Sequence, residues 1–187
     1  MLLDCLRQTV RKANVWLLVL ICLAVVSGGC REKEPALNKD AQRLKNELLD
    51  EISWLMPKVL EPVGKEDWEA IPPVLQSFFE EIGKKGKIVP ARLVILDRNG
   101  ITQVTFPPKK EEYLHFYNYE PAKVVFTKKR KAQAILYLGL EKFFVIMAPI
   151  LEEGQVIGAV ALGFSEEELK NTLKISEKEF LDINFNK

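Results

Sequence analysis

The chain has 187 residues, 27 basic and 26 acidic, with a formal charge of +1, so its balance gives no sign of a nucleic-acid partner and its length suits one ordinary domain. Its three cysteines, Cys5, Cys22 and Cys30, fall at the start of the chain, and its single histidine is His115. Downstream of Cys30 this excludes disulfides, cysteine metal cages, thiol nucleophiles, multi-histidine metal sites and CxxCH haem attachment.

Arg7, Arg11 and Lys12 precede the uncharged run Val15–Val26, followed by Ser27-Gly28-Gly29 and Cys30, the layout of a secretory signal that ends at a cysteine. As a helix, the uncharged stretch Ala13–Gly29 covers about 25 Å, short against a hydrocarbon core of about 30 Å. Small residues before Cys30 suit a peptidase groove, and an uncleaved anchor is the alternative. The segment resembles a bacterial lipoprotein signal, with Ser27 standing where that family usually has an aliphatic residue. The resemblance implies a Cys30 thiol that receives diacylglycerol and becomes the first residue of the mature chain, attached through several acyl chains at about 0.8 kcal/mol per buried methylene. Cleavage removes Arg7, Arg11, Lys12 and Asp4 and leaves about 158 residues with a charge of about −1. The expected location is the periplasmic side of the cell envelope. Arg31, where an aspartate is associated with inner-membrane retention, favours the outer membrane.

Residues 30–38 are charged, contain Pro35 and read as a tether. Leu44, Leu48, Leu49, Ile52 and Leu55 then recur at helical spacing, predicting one long amphipathic helix over Asp40–Leu60 that ends near Pro62 and lies along a sheet or a partner. After a turn at Pro72-Pro73, the stripe Val74, Leu75, Phe78, Phe79 and Ile82 predicts a second helix, broken by Gly83 and Gly86. From Arg92 the period becomes two. Leu93–Leu96 and Ile101–Phe106 read as strands around the turn Asp97-Arg98-Asn99-Gly100, and Pro107-Pro108 stops the second. Residues 109–120 are irregular and aromatic, and Pro121–Thr127 predicts a short helix. Strands follow over Ala132–Leu138, Phe143–Ile150 and Val156–Phe164; short turns make them antiparallel. Pro149 belongs at a strand end or edge, and Gly158 and Gly163 mark a bulge or the close approach of another group, a ligand or more commonly a helix backbone. Ser165 with Glu168 and Ser176 with Glu179 match capping boxes that open two closing helices.

This plan resembles the PAS-like extracellular sensor fold known as Cache. Leu93–Gly100 looks like that family's first hairpin, and Phe144–Ile150 with Gly154–Val160 like its last. The resemblance implies an α+β fold, a PAS-like five-stranded antiparallel sheet with a long N-terminal helix packed on it, as one domain over residues 39–187 after a signal at 1–29. It also implies a ligand pocket between the sheet and the connection over residues 106–126.

Within that connection Tyr113, His115, Tyr117 and Tyr119 alternate. At strand spacing they share one face, where hydroxyls and an imidazole on an apolar wall suit a small polar ligand; ordinary packing of amphipathic aromatics is the other reading. Arg92, Lys123 and the run Lys128–Lys131 are rival cations for a carboxylate or phosphate group. The adjacent acids Glu111-Glu112 and Glu152-Glu153 read as surface, and no phosphate loop, HExxH or GxSxG occurs. The expectation is a binder and not an enzyme, with no catalytic residue, metal or cofactor. Its ligand would be a small molecule of the organic-acid or amino-acid class.

Two functions compete. One is an envelope-anchored sensory lipoprotein, without a signalling domain of its own in these 187 residues, that binds a metabolite and works through a membrane receptor. The other is a structural or interaction lipoprotein whose pocket is filled by its own side chains and which forms a homodimer through the long helix.

Overall fold

Asn38 opens the first helix by accepting a hydrogen bond from the Ala41 N–H at 2.7 Å, satisfying one of the donors that a helix start leaves unpaired. This helix, α1, runs Lys39–Gly64. The computed structural model describes residues 37–108, 116 and 118–187; the signal, Cys30 and Tyr113, His115 and Tyr117 lie outside the described residues. The α1 stripe Ala41, Leu44, Leu48, Ile52, Leu55, Val59 and Val63 is buried, and the opposite side carries four-residue pairs such as Arg43–Glu47 and Lys65–Glu61. The helix passes through Pro57 and Pro62 and outlasts the expected stop. Pro57 cannot donate to the Ser53 carbonyl, but Ser53 is exposed and water can take that place.

After a short 3-10 turn at Trp68–Ala70, α2 spans Ile71–Lys84. Pro72 and Pro73 sit inside its first turn and not in a turn before it, because N–H groups there have no intrahelical acceptor and a fixed φ suits the position. Its residues Leu75, Phe78 and Ile82 are buried.

The strands are β1 Arg92–Asp97, β2 Thr102–Phe106, β3 Ala132–Leu138, β4 Glu141–Glu152 and β5 Gln155–Ser165. They form one sheet in the order β2-β1-β5-β4-β3, with every neighbouring pair antiparallel. The turn between β1 and β2 works as its residues demand. Asp97 accepts from the N–H groups of Asn99 and Ile101 at 2.8 and 2.9 Å, and Gly100 takes a φ of +72°. Helix α3, Glu120–Lys128, fills the long connection from β2 to β3.

Leu93, Ile95, Phe144, Ile146, Ala148, Val160, Leu162 and Phe164 form the inner face of the sheet, under α1 and α2. Two closing helices, α4 Glu166–Leu173 and α5 Glu177–Leu181, join that layer. Phe144 meets Phe180 edge-on at 5.2 Å, a geometry worth about 0.5–1.5 kcal/mol beyond burial. The tail then adds Ile183 and Phe185 to the same core. Gln133 Nε2 donates to the carbonyls of Leu181 and Ile183, pinning the tail to β3. Ser176 and Glu179 form the expected reciprocal box. At α4 only half of it forms: Ser165 accepts from the Glu168 N–H, while the Glu168 carboxylate accepts from the Val89 backbone.

The two glycines of β5 play opposite parts. A Cβ on Gly158 would stand 2.6 Å from the Leu96 carbonyl oxygen and 3.0 Å from a Val63 methyl, so the approaching group is a neighbouring strand and not a helix backbone. Gly163 leaves ordinary contact distance to Arg92 and Phe143. Pro149 lies within β4, but β3 begins only opposite Met147, so that side of β4 is a local edge and its missing donor costs no ladder bond. No helix among the described residues is long and apolar enough to cross a membrane.

Candidate ligand site on the outer face of the sheet

Strand alternation turns Arg92, Val94 and Leu96 of β1, Phe143, Val145 and Met147 of β4, and Ala159, Ala161 and Gly163 of β5 away from α1. Among the described residues, Phe116 and the α3 residues Ala122 and Val125 are buried against their apolar members. Phe116 is held by its backbone: its N–H donates to the Gly100 carbonyl at 2.9 Å, and its own carbonyl accepts from Tyr119. The β1–β2 turn therefore positions the roof of the outer face.

Beneath Phe116 lies a cavity of about 30 Å³ lined by Arg92, Val94, Leu136, Phe143, Val145, Met147 and their neighbours. Small residues create it, since Ala161 and Gly163 leave space between the longer side chains of β1 and β4. Arg92 is the one charged side chain among the described residues that line it. Its side chain is only 11% exposed, with Nη2 3.8 Å from the Glu141 carboxylate and the guanidinium 5.6 Å from the Phe143 ring centroid. A planar cation stacked on an aromatic at the end of an apolar hollow is suited to a carboxylate carried on an apolar body.

Of the residues the sequence reading named, Arg92 lines this cavity. Tyr119 and Lys123 do not line the cavity. The Tyr119 hydroxyl donates to the Ile135 carbonyl at 3.0 Å, fastening the start of α3 to β3, and burial raises its pKa. Lys123 is exposed and paired with Glu120 one turn away at 2.6 Å. That ammonium, first by hydrogen bond and then by charge, holds the Glu120 carboxyl below its ordinary pKa. Tyr113, His115 and Tyr117 lie outside the described residues. Phe116, which separates His115 from Tyr117, is buried against the sheet. Within the basic run, Lys129 donates to the Gly154 carbonyl and the Lys131 backbone exchanges hydrogen bonds with Asn186. These residues brace a hairpin and the C-terminal tail.

The sequence reading did not single out Val94, Leu136, Phe143, Val145 and Met147 as cavity residues. The signal was present in β4, where Phe143–Ala148 is apolar without alternation. Such a strand is buried on both faces and needs a second layer of cover.

No protein-family model and no curated protein matches the chain. Solved structures do. The sensor domain of DcuS from E. coli superposes with a TM-score of 0.51 at 17% identity, over 74% of this chain and 100% of that one. The ligand-binding domain of the chemoreceptor CtaA from Pseudomonas fluorescens, in complex with L-serine, matches with a TM-score of 0.51 at 16% identity over 74% of this chain and 60% of that one. A domain of a sensory box/GGDEF family protein from Vibrio parahaemolyticus gives 0.50 at 11%, over 74% of this chain and 61% of that one. The chain thus spans about three-fifths of the latter two. Residues 37–187 have the Cache, PAS-like fold, an antiparallel five-stranded sheet with a long N-terminal helix on one face.

Proposed function

We propose that this Cache-fold domain is a small-molecule-binding sensory module, held on the periplasmic side of the cell envelope through acylated Cys30, that takes an amino acid or organic acid on the outer face of its sheet. The observation that carries the reading is Arg92, a largely buried cation at one end of an apolar cavity roofed by Phe116. The L-serine complex of a domain with the same fold supports it. The proposal is of a binder and not an enzyme.

A cavity of about 30 Å³ admits one or two waters, so a metabolite enters only by displacing Phe116 and the start of α3. Among the described residues, those elements are tied to the sheet by the bonds of Phe116 to Gly100 and Tyr119 to Ile135. Ligand binding and movement of the α3 surface are therefore one event. A receptor at the membrane that reads this surface would receive the signal.

The small volume also favours a second reading, an interaction lipoprotein whose pocket is filled by its own side chains. Its dimer would need a polar seam on α1, since the apolar stripe of that helix is spent on the sheet and α2. Thermal melting with a panel of L-amino acids and dicarboxylic acids separates the two. At a hundredfold excess over Kd a true ligand adds about 2.7 kcal/mol, about 5–11 °C for a domain of this size. We expect at least one saturable shift that Arg92→Leu abolishes in a folded protein. A flat response across the panel, with a dimer in sedimentation, supports the second reading.

A further inference from the structure

On the opposite side of the sheet, a cleft of about 220 Å³ lies between α1 and α2, lined by Asp50, Glu51, Trp54, Phe78, Glu81, Ile82, Lys85 and Lys87. Its volume exceeds the roughly 150 Å³ of a cavity that hosts benzene. Glu51 is only 3% exposed, yet neither carboxylate oxygen has a hydrogen-bond partner among the described residues. An unsatisfied buried carboxylate is costly, and a hydrophobic residue would pack there at less cost. Trp54 and Phe78 stand beside it with centroids 5.6 Å apart. The Trp54 ring already attracts one ammonium, with Lys58 Nζ 4.2 Å from its centroid.

We propose that this cleft binds a small organic ammonium ion, with Glu51 as its counter-charge and Trp54 and Phe78 as its walls. The charges facing Glu51 are Glu47 and Asp50 from α1, Glu81 from α2, and Lys85 and Lys87 from the loop that follows it. Lys85 is engaged with Glu81, which leaves Asp50 to balance Lys87, so that the cleft gains an excess of negative charge when Glu51 ionises. Among the described residues no three His, Cys, Asp or Glu side chains converge as metal ligands, and two aromatic walls suit an alkylated cation better than a bare metal ion. The site is separate from the outer-face cavity and does not depend on a carboxylate ligand binding there.

Burial raises the Glu51 pKa to about 8, with Lys87 opposing and Glu47 and Asp50 adding to the shift. A cation that binds the ionised form must therefore expel a proton, and its affinity rises with pH. The test is titration of the full chain with choline, whose charge does not change, followed by calorimetry and tryptophan fluorescence. Its uncharged analogue 3,3-dimethylbutan-1-ol and the variants Glu51→Gln and Arg92→Leu serve as controls. We expect saturable choline binding that tightens about thirtyfold between pH 6.5 and 9, as a single group of pKa about 8 requires. Binding should weaken at least tenfold in Glu51→Gln and for the alcohol, and stay unchanged in Arg92→Leu. Absence of saturation by choline, or equal binding in a folded Glu51→Gln protein, overturns the proposal. Retention of the carboxylate response in Glu51→Gln keeps this outcome distinct from that of the outer-face site.

Discussion

On the inner face of the sheet Phe144, Ile146, Leu162 and Phe164 meet α1 and α2 along their length, and the C-terminal helices seal the remaining side with Phe180 and Phe185. On the outer face Val145, Met147 and Ala161 are covered, among the described residues, by Phe116, Tyr119 and the nine-residue α3. Among the described residues, the sheet therefore has a heavily covered side and a more lightly covered one. The difference arises from side-chain size as much as from helices. β5 places valine, leucine and phenylalanine inward but alanine and glycine outward.

Substitutions on the two faces should break or sharpen this contrast. Phe144→Ala, in the inner core, should cost about 3–5 kcal/mol in chemical denaturation, whereas Phe116→Ala on the roof should cost about 1–2 kcal/mol. Equal losses would mean that the outer layer is as structural as the inner one. Glu51 is the polar exception of the inner layer. With its folded pKa raised to about 8, the native state keeps a proton that the unfolded chain releases near pH 4.3. Its contribution is fully present below that value and is lost as pH rises through about 8. Glu51→Gln should therefore flatten this part of the stability profile and exceed the parent by about 2–4 kcal/mol at pH 9; parallel profiles for the two proteins would contradict the assignment.

The glycines offer a finer comparison within one strand. Gly158→Ala pushes a methyl into the Leu96 carbonyl and should lower stability by about 1–3 kcal/mol. Gly163→Ala meets only ordinary contacts and should change stability by less than about 1 kcal/mol, while narrowing the cavity and weakening any carboxylate ligand. The smallest stability effect belongs to Arg92→Leu. Its pairing with Glu141 is long and the Glu141 carboxylate is exposed, so losing that pair should cost below about 1 kcal/mol, and the main consequence should appear in ligand binding.

Much of this architecture was legible because period and turn chemistry agree locally. The two-residue alternation after Arg92, the Asp97–Gly100 turn and the glycine-bearing turns before β4 and β5 defined the strands almost to the residue. Proline positions misled in part: Pro62, Pro72 and Pro73, read as a stop and a turn, find places inside helices where the missing donor is harmless. The site was legible only in part. Arg92 stood out as a cation opening an apolar strand, but Tyr119 and Lys123 were drawn away by partners, Ile135 and Glu120, that one-dimensional spacing does not reveal. Glu51 was hidden among helix acids. Its burial follows from α2 folding back over α1, a tertiary event with no local signature.

The central claim is that the outer face is the ligand side. The most direct test is to map backbone amide shifts by NMR on adding an amino acid or organic acid that raises the melting temperature. The account predicts changes clustered at Val94, Phe116, Met147, Ala161 and the start of α3. Changes confined to α1, α2 and the C-terminal helices, or no member of the panel that shifts any amide, would contradict it.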